Sequence, residues 1–317
     1  MYSCKTHQFT NMQMKGKYIN PFTDFGFKKL FGTRKEIAID FLNSVLSYEN
    51  SKFVKISDLT YSDPVKTGKG KQDRGAIFDL FCTDESGKSF IIELQNLPQE
   101  FFKDRSLFYS TFPIQEQSPQ ISGWNYQLNH VFFVGILNFT FDLQKSMVRQ
   151  VALIDKVTGN IFYEKLNLVY LEMPKFNKKE SELETKFDCW MYLLNNLPNL
   201  KKEPEWLEGK TFELFINLAN IAQLNKEEMR TYDESLKNMW DNYSIKEFAI
   251  KEGKREGKRE GKREGKREGK REGRREGRRE GRREGSLQIA LAMKNAGEPL
   301  EKIANYTGLT IEEIKKL

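Results

Sequence analysis

Apolar and polar positions follow a helical spacing at first, an alternating one through the middle of the chain, and a helical one again towards its end. Phe27, Leu30 and Phe31 recur at i, i+3, i+4 behind Pro21, with Thr23 or Asp24 placed to cap the first turn and Gly32 to end it. Ile37, Phe41, Leu42 and Val45 make a second stripe and predict a helix over 36–46. Residues 53–61 alternate as a strand. Residues 72–95, QDRGAIFDLFCTDESGKSFIIELQ, set two apolar runs around a polar TDESGKS segment, the pattern of a β-hairpin. An aromatic helix is expected over 99–112. The nearly continuous apolar run 130–137 predicts a strand covered on both faces. Segments 148–155 and 160–164 suggest another hairpin, and 168–172 a further strand. From residue 182 the pattern is helical, with Leu183, Phe187, Trp190, Leu193 and Leu194 first and 212–224 and 225–239 after it.

The first hairpin carries the candidate chemistry. With Thr83 and Ser89 as the last opposed pair around the loop, counting outward sets Asp79 opposite Glu93. Side chains alternate along a strand, so Glu93 and Gln95 share a face, and Ile77, Asp79 and Phe81 are expected to share one. Two carboxylates side by side on neighbouring strands destabilise a sheet. A hard divalent cation removes that penalty, since Mg²⁺ takes one or two carboxylates, keeps several waters and accepts phosphate oxygens. Asp79, Glu93 and Gln95 therefore form a candidate metal site for phosphodiester hydrolysis; the competing interpretation is a half-exposed hairpin with ordinary solvent-facing acids. Asp63 and Asp73 compete with Asp79 for the metal, but Asp79 lies inside an apolar run and can face Glu93.

Composition narrows the setting. A chain of 317 residues with 38% hydrophobic and 13% aromatic content can bury a sizeable core. No apolar run approaches the ~20 residues of a bilayer span, and residues 1–17 lack the apolar core of a signal peptide. The 3 cysteines are odd in number and scattered, which argues against a disulfide framework or a cysteine zinc site. A soluble cytoplasmic protein without membrane or small-molecule cofactor is expected. The net charge of +7 is local: residues 254–284 hold 16 Lys/Arg against 8 Glu, which leaves 36 basic and 37 acidic residues elsewhere. Basicity thus says little about the globular body and much about one tract. That tract repeats EGKR and then EGRR. Glycine at every fourth position costs roughly 0.8–1 kcal/mol each relative to alanine, and Glu–Arg pairs at i,i+3 return only ~0.2–0.5 kcal/mol. A marginal, fraying helix is expected there, able to contact polyanions without sequence preference.

The hairpin resembles the core of the PD-(D/E)XK nuclease superfamily, and within it the Rpn-like family of recombination-promoting nucleases and transposases. Phe78-Asp79 stands where that pattern has Pro-Asp, and Glu93-Leu94-Gln95 stands for Glu-x-Lys with Gln in the Lys position. Three more stretches look similar: NPFTDFGFKKLFG (20–32), residues 105–126, and VYLEMPKF (169–176). The resemblance implies an α/β fold: a restriction-endonuclease-like core with a mixed sheet flanked by helices. The expected organisation is a lead over 1–17, the nuclease domain over 18–177, a helical lobe over 178–245, the repeat tract over 246–285 and a helical hairpin over 286–317. Thr310 is placed to cap the last helix, with Glu313 three residues on. The implied activity is Mg²⁺-dependent DNA endonuclease chemistry tied to recombination, with Mn²⁺ or Ca²⁺ as other ions, DNA as partner and a homo-oligomer as a further possibility. Asp79 and Glu93 would be the ligands. Asp24, Lys28, Asp73, Arg105, Tyr109 and Gln117 would be site neighbours, with Glu36 and Asp40 as other upstream acids. Gln95 cannot abstract a proton, which leaves the proton acceptor open. The alternative is a catalytically silent interaction module on the same fold.

Overall fold

The computed structural model describes residues 16–48, 53–66, 74–118 and 125–317. Asp73 and the Gly/Lys-rich loop before it lie outside the described residues. Both N-terminal helices form as their stripes predict: α1 (Asp24–Gly32) buries Phe27, Leu30 and Phe31, and α2 (Lys35–Leu46) buries Ile37, Phe41, Leu42 and Val45. Thr23 caps α1, its Oγ1 accepting the Gly26 amide at 3.0 Å. Gly26 must be glycine, because a Cβ there would sit 2.1 Å from the Asn20 carbonyl oxygen.

Strands β1 (Leu59–Tyr61), β2 (Val65–Lys66), β3 (Ala76–Ile77), β4 (Leu80–Asp84) and β5 (Ser89–Gln95) lead to helix α3 (Phe102–Glu116). Strands β6 (Val131–Leu137), β7 (Val148–Ile154) and β8 (Ile161–Glu172) follow. The main sheet runs β1-β4-β5-β6-β8-β7; β5, β6 and β8 are mutually parallel, and β1, β4 and β7 pair antiparallel. Every residue of β6 is buried, as its apolar run requires. One face of the sheet (Leu80, Cys82, Phe90, Ile92, Val134, Ile136) packs into one cluster with α1, α2, α4 (Lys186–Asn196) and α5 (Lys210–Ala219). The segment expected as a helical lobe thus supplies Phe187, Trp190 and Phe215 to the same core as the sheet. The other face (Phe81, Ile91, Phe133, Leu168, Tyr170) is covered by Phe102 of α3.

Four expectations change. The first hairpin strand is not continuous over 76–83, because the chain bends at Phe78-Asp79. β3 pairs with β2, while β4 pairs with β1 and β5. The bend turns Phe78 onto the face of Phe81, 5.4 Å between ring centres, where unbroken alternation would oppose them. Second, only residues 59–61 of the 53–61 segment are strand. Third, residues 161–172 form one strand, not two, bulged in its pairing with β7 near Leu153. Fourth, α3 buries Ser106 and Ser110 and leaves Leu107 and Phe108 exposed, as is Phe101 just before it. A small residue lets the helix sit close on the sheet, and Ser106 Oγ shares a 2.6 Å hydrogen bond with the Tyr170 hydroxyl.

The chain divides into two compact units, residues 1–243 and 244–317. Helix α6 (Lys226–Asn295) carries through the repeat tract without a break. Helix initiation is the costly step, and packed residues hold this helix on either side of the tract. Tyr232, Leu236 and Met239 join the main core, while Leu287, Ala290 and Met293 join a small one in the second unit. That small core is completed by α7 (Leu300–Thr307) and α8 (Ile311–Lys316), with Ile303, Leu309 and Ile314 buried. Gly308 takes φ 69° to end α7. Thr310 and Glu313 form the expected capping box at the start of α8. No helix among the described residues is long and apolar enough to cross a membrane.

Candidate metal centre

The two carboxylates meet where β4 gives out. Thr83 pairs with Ser89 and Leu80 with Ile92, so the register extends to Asp79 opposite Glu93, as counting predicts. Asp79 sits in the bend just before β4, and its main chain and side chain replace the missing ladder bonds. Its amide donates to Glu93 Oε1 at 3.0 Å, and its Oδ2 accepts the Leu94 amide at 2.7 Å. On a strand the N–H and C=O of one residue point to the same side. The Leu94 carbonyl therefore faces the Asp79 side as well. Across the sheet from Glu93 stands Gly135, and next to it Tyr170. A Cβ on Gly135 would lie 3.0 Å from the Tyr170 ring, so the absent side chain leaves that ring its place against β6.

Both acids pay an electrostatic penalty for their position. Glu93 is 4% exposed. Burial pushes its carboxyl well above the usual carboxylate range, and the neighbouring Asp79 adds to the shift. Burial likewise raises Asp79, with Asp24 adding to it; the Leu94 amide, Lys28 and Arg105 oppose the shift. Among the described residues, Asp79 Oδ1 accepts no hydrogen bond. No group of three or more His, Cys, Asp or Glu side chains able to hold a metal occurs among those residues. Two carboxylates and a carbonyl with open positions suit a hard cation such as Mg²⁺, which keeps waters and takes phosphate oxygens. They would suit a cation that needs a full protein cage poorly.

The remaining residues divide into near and far. Helix α1 brings Lys28 within electrostatic range of both acids and Asp24, paired with it at 2.7 Å, within range of Asp79. Helix α3 brings Arg105, whose Nη2 lies 3.7 Å from Glu93 Oε2 and donates to Gln95 Oε1 at 2.5 Å. Tyr109 stands one turn further along, its ring edge-on to Phe78 at 5.3 Å, and burial followed by the Glu93 charge raises its phenol. Gln117 is a different case. It caps the far end of α3, roughly 18 Å along the axis from Arg105 at 1.5 Å per residue, and accepts the Asn129 amide at 2.5 Å. It is no neighbour of the acids. Asp40 is likewise engaged elsewhere, accepting Trp190 Nε1 at 2.8 Å. Gln99 escaped the sequence reading: its Oε1 accepts Arg105 Nη1 at 2.8 Å. Nothing in the spacing marks it, because it precedes α3 and belongs to no stripe.

A mixed sheet flanked by helices, with an acid pair at the end of two adjacent strands and a Glu-x-Gln on the second, is the architecture of a PD-(D/E)XK nuclease. Residues 21–249 match the family described as PD-(D/E)XK nuclease family transposase, and the chain belongs to it. No curated protein and no solved structure matches the chain.

Proposed function

We propose that this member of the family is a divalent-metal-dependent DNA endonuclease that hydrolyses phosphodiester bonds in recombination or mobile-element traffic. The observation that carries the reading is the pair of half-buried Asp79 and buried Glu93, fixed to each other through main-chain amides, with no hydrogen bond to Asp79 Oδ1 among the described residues. Asp79, Glu93 and the Leu94 carbonyl would hold the ion. When bound, a divalent cation supplies Lewis acidity towards the scissile phosphate and acidifies the attacking water. In hydrolysis, the water oxygen joins phosphorus and the ester oxygen leaves with the bonding pair. One water proton ends on that leaving oxygen.

Gln95 neither takes that proton nor is free to steer the water. Its Oε1 is held by Arg105, and its Nε2 donates to the Leu97 carbonyl at 2.8 Å. Proton removal therefore falls to solvent or to the substrate phosphate. Lys28 stands beside the acids with its charge available to a DNA backbone phosphate, and Asp24 holds it in place. The test is cleavage of supercoiled plasmid with Mg²⁺ and with chelator. Wild type should nick or linearise it only with the metal, and Asp79→Ala should not. Equal cutting by the two proteins rejects Asp79 as a ligand. DNA retention without cutting by wild type would instead favour the silent interaction module.

A further inference from the structure

The position that carries lysine in a Glu-x-Lys motif carries Gln95 here, yet the place a lysine head would fill holds a positive charge. Gln95 and Glu93 are two residues apart on β5, so their side chains share a face. A lysine at 95 would extend one atom beyond the glutamine amide. Arg105 Nη2 already lies there, 2.5 Å from Gln95 Oε1 and 3.7 Å from Glu93 Oε2. The guanidinium is held on several sides. Gln99 takes Nη1 at 2.8 Å, and the group lies over the rings of Phe102 and Tyr109 at 5.1 and 5.5 Å. This is a cation fixed in advance of substrate, on a helix anchored by its serine face.

We propose that Arg105 supplies, from α3, the active-site positive charge that the motif lysine supplies in a Glu-x-Lys site, and that Gln95 has become its holder. The inference rests on the nuclease reading above. As water attacks, negative charge grows on the non-bridging phosphate oxygens, and a preplaced guanidinium stabilises that charge without reorganising. Arginine stays protonated at any working pH and presents donors in a planar fork. It therefore serves as an electrostatic partner and never as the base. The same charge must also repel a cation held by Glu93, which gives a signature independent of turnover.

The experiment compares wild type, Asp79→Ala, Arg105→Gln, Arg105→Lys and the double variant Gln95→Lys/Arg105→Gln, each checked by thermal melting. Three quantities are read: plasmid nicking with Mg²⁺, DNA affinity with Ca²⁺ by anisotropy, and Mn²⁺ affinity without DNA by calorimetry. Arg105→Gln should slow nicking about 100-fold while Mn²⁺ binds about three- to tenfold tighter. DNA affinity should stay within about threefold, as one phosphate contact among several allows. Arg105→Lys should keep more activity than Arg105→Gln. The double variant should recover at least about tenfold of the lost rate and return Mn²⁺ affinity to that of wild type. A residue that merely supported the helix would show neither the tighter metal nor the rescue. The assignment is overturned if Arg105→Gln cuts like wild type while Asp79→Ala does not, if its Mn²⁺ affinity is unchanged or weaker, or if the double variant is no faster than Arg105→Gln. Cutting by Asp79→Ala at the wild-type rate removes the metal reading and this inference together.

Discussion

Glu93 is the residue at which stability and the proposed chemistry pull in opposite directions. Burial raises its carboxyl, so the folded chain holds a proton there that the unfolded chain has released. Between the ordinary glutamate range and the raised value, the folded state binds more protons, and stability must fall as pH rises through that window. Glu93→Gln removes the titration and keeps an oxygen for the Asp79 amide. In chelator, its melting temperature should match wild type near about pH 5 and exceed it near about pH 8, by on the order of 1–3 kcal/mol in unfolding free energy. Mg²⁺ should raise the wild-type melting temperature at the higher pH and leave Glu93→Gln unmoved. A wild type at least as stable as Glu93→Gln at alkaline pH without metal would show that the buried carboxylate carries no such penalty.

At the scale of elements, the same principle of tolerated cost explains α3. Its residues 106 and 110 are buried serines, the first bonded to Tyr170 of the sheet, and its leucine at 107 is exposed. Ser110→Leu should overpack that seam and lose about 1–3 kcal/mol, whereas Leu107→Ser should change stability by no more than about 0.5 kcal/mol. Urea melts of the two variants decide it, and the reverse ranking would mean that the helix lies on its other side. A periodicity argument ranks these residues the opposite way, because it assigns large apolar side chains to the core. Here close approach matters more than apolar area, and only the Ser106–Tyr170 hydrogen bond reveals it. The acid pair was readable for the complementary reason. Register around a hairpin follows from its loop, so Asp79 could be set opposite Glu93 by counting. The bend at Phe78-Asp79 could not be read, since it depends on β3 pairing with β2 across a long connection. Nor could Gln117 be placed without knowing where α3 ends, or Gln99 found without knowing that Arg105 needs a partner.

At the scale of the whole molecule, chemistry and charge lie in different stretches of chain. The family match spans 21–249 and the acid pair lies within residues 1–243, while the excess of positive charge belongs to the tract over 254–284. Outside that tract, 36 basic residues face 37 acidic ones, so the rest of the chain has little general attraction for a polyanion. A chain ending at Tyr243 should therefore keep its single-turnover cutting rate at saturating DNA and lose affinity. The loss should be largest at low salt, because each phosphate neutralised releases counterions and contributes a slope of about −0.9 in log K against log salt. Binding isotherms from about 50 to 200 mM salt should show a steep slope for the full chain and a shallow one for the shortened chain, converging as salt rises. The glycines make the outcome sharper. They expose backbone, and the tract's helix is held at its two flanks by packed residues, so cutting one flank away should unwind it. Circular dichroism of the isolated 244–317 segment should accordingly show less helix than its span in the full chain. If the shortened chain kept the full salt slope, the polyanion contact would have to be reassigned to residues 1–243, Lys28 near the acid pair among them.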